Sequence, residues 1–350
     1  GLVALGAQSW VRAFKTDLLT GATAPSFLHT VLAANPFSSR ISLLFLPMDR
    51  LLAWRTDTAA PGLAVMDVSR IDDEAAAPPS LVSLPTGFRA PLSALHVVGD
   101  TAVGLETGGV VRLTDAVTGV SRFEVHLPGA SSVIVVASTE LVAGRNAAAA
   151  SGSLMRVNAR TGETVPIRDR NIFTYGLLLD PTGRGPSGAP GPLLYSVGID
   201  GAGATNLVLH EGPGFERETL VDRIADEDLD ASMALDPDTH VLYASLGRDR
   251  IVAWDGSQLK AFNAENCAPR LLVARDGMLY SLNRDSTVSV LESATGARLA
   301  EISLFANGEW CVLFRDGRYA ASPGGDVNVK VFVGGQPVSA SEDYRMPIGQ

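Results

Sequence analysis

The sequence predicts an all-β fold assembled from a repeated unit of about 45 residues. Three observations carry that expectation. A turn ending in Thr-Gly recurs at Thr20-Gly21, Thr118-Gly119, Thr161-Gly162 and Thr295-Gly296. The glycines lie 98, 43 and 134 residues apart, close to two, one and three units. Short apolar runs recur at a similar interval, and behind several of them stands an Asp-Pro or Asp-Gly turn followed by a Tyr and a small residue. A period of about 40 to 45 residues with four strands per unit is the signature of a propeller blade.

The first strand of each unit is the apolar run, as a strand buried on both faces requires. Seven such runs stand out, at 41–46, 92–98, 132–136, 176–179, 233–235, 271–274 and 311–314. Turns follow at 180–183, 236–238, 275–277 and 315–317. They are built from Asp, Pro and Gly, which preset φ or tolerate positive φ between antiparallel strands. The second strand carries its aromatic at a fixed place, Tyr195, Tyr243, Tyr280 and Tyr319, each followed by Ser or Ala. A small residue there suits close packing between neighbouring units. The third strand alternates, as in 250–254 and 287–291, and the Thr-Gly turn follows it. No run longer than about ten residues keeps a helical stripe free of Gly or Pro. The acidic stretch 221–228 has room for one helical turn.

Seven first strands predict seven blades of four strands, closed into a single domain over 1–350 by the N- and C-terminal strands. Eight blades is the alternative, because both ends read as second and third strands: 2–7 aligns with 319–322, and 10–14 with 329–332. Two insertions interrupt the period. Residues 181–192 are rich in Gly and Pro and predict a mobile surface loop; residues 72–79 predict a second solvated loop.

Hydrophobic residues make up 46% of the chain and charged residues 19%, enough for a large core and too apolar for disorder. The formal net charge of -10, with a pI near 5.0, argues against a nucleic-acid groove or an anionic membrane surface. No apolar run is long enough to span a membrane. The chain begins at Gly1 rather than Met, from which removal of an upstream segment is expected. Cys267 and Cys311 stand far apart in no metal-like spacing and read as two buried thiols, with a single disulfide as the other reading.

Chemistry-bearing patterns are sparse. His29, His96, His126, His210 and His240 are scattered. No Ser occupies a nucleophile elbow. The glycine-rich 198–203 lacks the helix and Lys of a phosphate cradle and reads as a hairpin turn. The acidic cluster Asp222, Asp226, Glu227, Asp228, Asp230, Asp236 and Asp238 lacks the spacing of a calcium loop and reads as a solvated rim. The candidate binding surface is therefore Arg184 on the first insertion, Asp226, Glu227, Asp228 and Asp230 on the acidic rim, and Trp310 at the start of its strand. No catalytic, cofactor-binding or metal-ligating residue is assigned.

The last unit, 307–326, reads Gly308-Glu309-Trp310, an Asp316-Gly317 turn, Tyr319, and Ser322-Pro323-Gly324-Gly325-Asp326. It resembles the terminal unit of bacterial WD-repeat-like propeller proteins. The Thr-Gly turns are similar to those that close blades in quinoprotein-type propellers. The resemblance implies a propeller used as an interaction platform in bacteria. The function expected is thus a non-catalytic platform for a protein partner, in the periplasm or another extracytoplasmic compartment of the cell envelope, with the cytoplasm as the alternative. The expected state is a monomer with no cofactor and no nucleic-acid partner. The competing expectation is a propeller enzyme, a quinone-dependent dehydrogenase or a lyase, with its site at the channel mouth.

Overall fold

The computed structural model describes residues 2–6, 10–16, 27–34, 41–46, 50–55, 63–67, 82–84, 87–98, 101–115, 118–146, 152–183, 185–188, 190–225, 231–247, 250–263, 269–285, 287–305, 309–322, 324–333 and 336–338. Among them the fold is all-β: antiparallel strands joined by short turns, one 3-10 turn at Asp326–Asn328, and no α-helix. Contacts divide the chain into two compact units. One comprises Gly1–Pro85, Ser286–Leu291 and Ala297–Gln350, and so holds both chain ends; the other comprises Thr86–Asp285 and Glu292–Gly296.

The first unit opens with a three-stranded sheet of β1 (Leu2–Gly6), β2 (Trp10–Thr16) and β3 (Phe27–Ala34). A four-stranded sheet follows: β4 (Ile41–Leu46), β5 (Arg50–Arg55), β6 (Leu63–Asp67) and β7 (Val82–Leu84). The second unit continues with four more four-stranded sheets. They are β8 (Leu92–Val98) to β11 (Ser121–His126) through β9 (Thr101–Glu106) and β10 (Val110–Asp115); β12 (Ala130–Ala137), β13 (Glu140–Arg145), β14 (Leu154–Asn158) and β15 (Thr164–Ile167); β16 (Phe173–Asp180), β17 (Leu193–Ile199), β18 (Thr205–Glu211) and β19 (Arg217–Ile224); and β20 (Met233–Leu235), β21 (Leu242–Ser245), β22 (Arg250–Trp254) and β23 (Leu259–Asn263). It ends with the hairpin β24 (Pro269–Arg275) and β25 (Met278–Asn283). The chain returns to the first unit with β26 (Val288–Glu292), β27 (Arg298–Leu304), β28 (Trp310–Phe314), β29 (Tyr319–Ala321), and the pair β30 (Val331–Val333) and β31 (Gln336–Val338). Each of the seven apolar runs picked out in the sequence lies on β4, β8, β12, β16, β20, β24 or β28. The first five of these open the four-stranded sheets.

Every sheet of the second unit is a meander in which consecutive strands pair, so only short turns are needed. The middle strands are buried on both faces, as β17 and β18 show at all seven of their positions. The reason is that neighbouring sheets pack on both sides. Val133, Val135, Leu141 and Val157 join Val103, Leu105, Val111 and Leu113 of the preceding sheet in one core. Ile134, Val142 and Leu154, one residue out of phase, join Leu194 and Phe215 of the following sheet. Tyr195, Val197, Leu207 and Leu209 in turn meet Leu242, Ala244 and Val252. Period-2 alternation thus deals successive residues of one strand to two different cores. Burial of each such Leu or Val contributes about 1.5–3 kcal/mol. The small residues after the tyrosines, Ser196, Ala244 and Ser281, are all fully buried, as close sheet-to-sheet packing requires. First strands lie side by side along the unit, β8 against β12, β12 against β16, β16 against β20 and β20 against β24.

The recurrent turns act as local locks. At Thr118-Gly119 and Thr161-Gly162 the glycine N–H donates to the carbonyl four residues back, Asp115 and Asn158, at 2.8 Å each. The side chains of Asp115 and Asn158 accept from Thr118 N (2.9 Å) and Thr161 N (3.1 Å). Gly296 repeats the bond to Glu292 O. All three glycines are left-handed, and each turn connects the third strand of its sheet to the fourth. The Thr20-Gly21 turn lies outside the described residues, as do the 72–79 insertion and Cys267. The stretch 221–228 does not start a helical turn. Val221 to Ile224 finish strand β19, where Val221 packs into the core, and 226–228 lie outside the described residues.

Two of these glycines separate backbone strain from steric fit. A Cβ on Gly162 (φ +75°) would meet nothing within 4 Å, whereas one on Gly296 (φ +73°) would stand 2.5 Å from Phe262 Cδ1. Gly162→Ala is expected to cost about 1 kcal/mol from the left-handed backbone alone. Gly296→Ala adds overpacking and is expected to cost about 3 kcal/mol. Urea denaturation of the two variants checks the difference; equal losses would mean that Phe262 gives way freely.

Candidate functional site

Of the six residues picked out as a binding surface, Arg184, Asp226, Glu227, Asp228 and Asp230 lie outside the described residues. Trp310 does not fit that role. It is 4% exposed, and its backbone is clasped by Ser322, whose Oγ accepts from Trp310 N (2.9 Å) and whose N–H donates to Trp310 O (3.1 Å). A Cβ on Gly325 would stand 2.1 Å from that same carbonyl, and Gly324 N donates to Glu309 Oε2 at 3.2 Å. The Glu-Trp and Ser-Pro-Gly-Gly-Asp segments therefore close on each other, and this most specific text of the chain builds a corner. Beneath it Cys311 is a free, buried thiol, its pKa pushed up to about 11 by burial and by the charge of Asp326.

The Gly/Pro insertion is fastened rather than loose. Glu211, buried on β18, accepts from Ser187 Oγ (2.8 Å) and Ser187 N (3.3 Å). Asp180 accepts from Thr182 N at 3.1 Å and faces His240 Nδ1 at 3.0 Å. Asp236 of the acidic cluster is buried too, and caps its own turn at Asp238 N (3.0 Å). Asp222 pairs with Arg250 at 2.7 Å. Residues 198–203 form the hairpin turn expected, with Asp200 N donating to Ala204 O. Among the described residues no three His, Cys, Asp or Glu side chains gather to hold a metal ion.

The densest polar constellation is one that local spacing does not announce. Where the sheet β12–β15 meets the sheet β16–β19, Asp169 Oδ2 accepts from Ser153 Oγ (2.9 Å) and Thr174 Oγ1 (2.7 Å), while Asn171 Nδ2 donates to Oδ1 (3.2 Å). Asn206 Nδ2 donates onward to Asn171 Oδ1 (3.1 Å), and Ser131 Oγ donates to Thr174 O (2.5 Å). His210 Nε2 lies 3.0 Å from Ser196 Oγ and 3.9 Å from Asp169 Oδ1. Ser, His and Asp thus converge, but not as a hydrolytic triad. In a triad the Ser and the Asp engage opposite ring nitrogens. Here both face Nε2, Nδ1 has no partner, and all three side chains are sealed from solvent. The cluster is a structural junction. Burial lowers the pKa of His210, against the opposing pull of Asp169 and Glu218.

A second buried charge network sits within β8–β11. Arg112 Nε donates to Glu106 Oε1 (2.9 Å), Arg112 also reaches Glu124, and Glu106 Oε1 accepts from Arg89 N (2.7 Å). The carboxylates raise the arginine's already high pKa, chiefly through the Glu106 hydrogen bond.

Among the described residues, some first strands do not bury all their apolar residues. Val98 on β8 is 48% exposed, and Leu271 and Val273 on β24 are 49% and 50% exposed. Between them along the row Val136, Leu177, Leu179, Met233 and Leu235 are half-buried. The alternation of β24, with Leu272 and Ala274 inward, presents Leu271 and Val273 outward.

No family model matches the chain, and no curated protein matches it. Among solved structures it is similar to the crystal structure of the computationally designed Ika8 protein. The TM-score is 0.53 at 15% identity, over 79% of this chain and 84% of that one. At that identity the likeness speaks to the fold alone. Among the described residues no helix is long and apolar enough to cross a membrane.

Asp169 is the keystone of the polar junction. Asp169→Ala strands the donors of Ser153, Thr174 and Asn171 in the core and is expected to cost about 3–5 kcal/mol. Ser196→Ala removes one neutral bond and is expected to cost about 1 kcal/mol. Chemical denaturation checks both; a loss below 1 kcal/mol for Asp169→Ala would mean that water replaces the carboxylate.

Proposed function

We propose that this chain is a non-catalytic β-propeller that serves as a binding platform for a protein partner, with the solvent-facing side of its first strands as the contact surface. The observation that carries this reading is the exposure of three apolar side chains on first strands, Val98, Leu271 and Val273, each about half open to solvent. Soluble proteins seldom leave contiguous apolar patches to water, and those that do use them for binding. The array of sheets adds preorganisation, since the contact side chains sit on strands paired into meander sheets.

The propeller reading rests on consecutive four-stranded meanders whose first strands lie side by side in chain order. Seven blades remain the count proposed. β1 lies against β4 as the second strands β9, β13 and β21 lie against β12, β16 and β24. That is the place of a second strand whose first strand is supplied by the other chain end. Bacterial origin and an envelope setting are supported by the resemblance of 307–326 to bacterial propellers.

A photo-crosslinking residue at position 271 tests the surface, with the same residue at the exposed outer-strand position 165 as control. The expected result is a discrete partner adduct at 271 and none at 165. Leu271→Glu with Val273→Glu is expected to weaken the adduct about tenfold or more while shifting stability by about 0.5 kcal/mol per site. Equal labelling at both positions, or an adduct insensitive to the charges, would overturn the proposal.

A further inference from the structure

We propose that His210 is an acid-triggered release for the junction between the sheet β12–β15 and the sheet β16–β19, acting through Asp169. The imidazole is fully buried, its Nε2 is shared between Ser196 and Asp169, and its Nδ1 faces no acceptor. A neutral ring tolerates this arrangement, because an unprotonated Nδ1 forgoes only an acceptor's partner. A second proton creates a buried N–H with nothing to accept it and a cation 3.9 Å from a carboxylate.

That carboxylate is what makes the event more than local. With His210 neutral, Asp169 is fully committed to Ser153, Thr174 and Asn171, the bonds that tie β14 and β16 together. An imidazolium pulls on the same carboxylate through Oδ1, the oxygen that Asn171 engages, while the two hydroxyls hold Oδ2. Closing from 3.9 Å to an ordinary charge-assisted bond of about 2.8 Å draws Asp169 away from the two hydroxyls. The other charges around the ring do not relieve the competition. Glu218 is the cross-strand partner of His210 on β19, but it is held by Arg170 at 2.6 Å; Ser196 on β17 is neutral. Burial outweighs Asp169 and Glu218 and keeps the folded-state pKa below 6.5.

The sign follows by linkage. Below pH 6.5 the unfolded or opened chain binds the proton more readily than the closed junction does, so closed-state stability is full above that value. It is lost as pH falls from there toward the lowered folded-state pKa. His96 on β8, half-buried with its Nδ1 enclosed and unpartnered, has its pKa lowered by burial and contributes with the same sign in a different sheet.

Amide hydrogen exchange of the intact chain, corrected for intrinsic rates, tests this at about pH 7.5 and about pH 5.5. The expected result is a fall in protection of about tenfold at β14 and β16 relative to β24, abolished by His210→Gln and retained by His96→Gln. The same fall in His210→Gln, or none in the unmutated chain, would overturn the proposal. If His210→Gln does not fold, NMR of the unmutated chain decides: the Asn171 side-chain amide must shift in step with the titration of the His210 ring. A ring that titrates while that amide stays still would sink the idea.

Discussion

Leu194 and Tyr195 are neighbours in the chain, yet they belong to different cores, one shared with the preceding sheet and the other with the following one. This two-sided burial is the constraint on which the rest of the second unit depends. A sheet packed on both faces has no solvent side on which to place polar residues, so its middle strands are apolar at their centres and carry their polar residues buried, as β18 does with Asn206, His210 and Glu211. Polar side chains that remain inside must find partners at once, and the small residues Ser196 and Ala244 appear where the backbones of neighbouring sheets come closest.

The polar junction around Asp169 is the other side of that constraint. Turns and strand ends between two sheets leave backbone and side-chain donors that packing alone cannot satisfy. One carboxylate, accepting from a hydroxyl on either sheet and from the amide of Asn171, resolves several of them together. Such a hub gives specificity to the docking of two sheets, because it is satisfied in one register only. The presence of Ser, His and Asp in it illustrates how little composition says about catalysis. The identity of the ring nitrogen and access to solvent decide the chemistry, and here both point to architecture.

The proposed contact surface is what the packing leaves outside. Among the described residues the first strands leave Val98, Leu271 and Val273 facing water. The Gly/Pro insertion is tied down by Glu211 and Asp180, two carboxylates buried at the ends of strands. Its glycines at 183 and 185 are there because these same carboxylates leave no room for a side chain, with a Cβ on Gly185 falling 2.2 Å from Glu211 Oε1.

Strand positions and turn chemistry were legible in the sequence because both are local. An apolar run, an Asp-Gly pair or a Thr-Gly corner carries its conformation within a few residues, and the first-strand runs all land on strands. The part of 221–228 that the structure describes is strand up to Ile224, because Val221 is held in the core by its neighbours, a tertiary effect that composition does not register. Trp310 was picked out only because its strand begins a unit; Ser322 and Gly325, which enclose it, arrive only when the chain folds back. His210 stood out only as one of five scattered histidines, and Asp169 and Ser153 not at all, because no spacing relates the three. The sequence by itself determined the kind of strand, the corner residues and the repeat. Only the tertiary structure decided which polar groups meet and which apolar ones stay wet, since those depend on how sheet faces stack and not on the order of residues within a sheet.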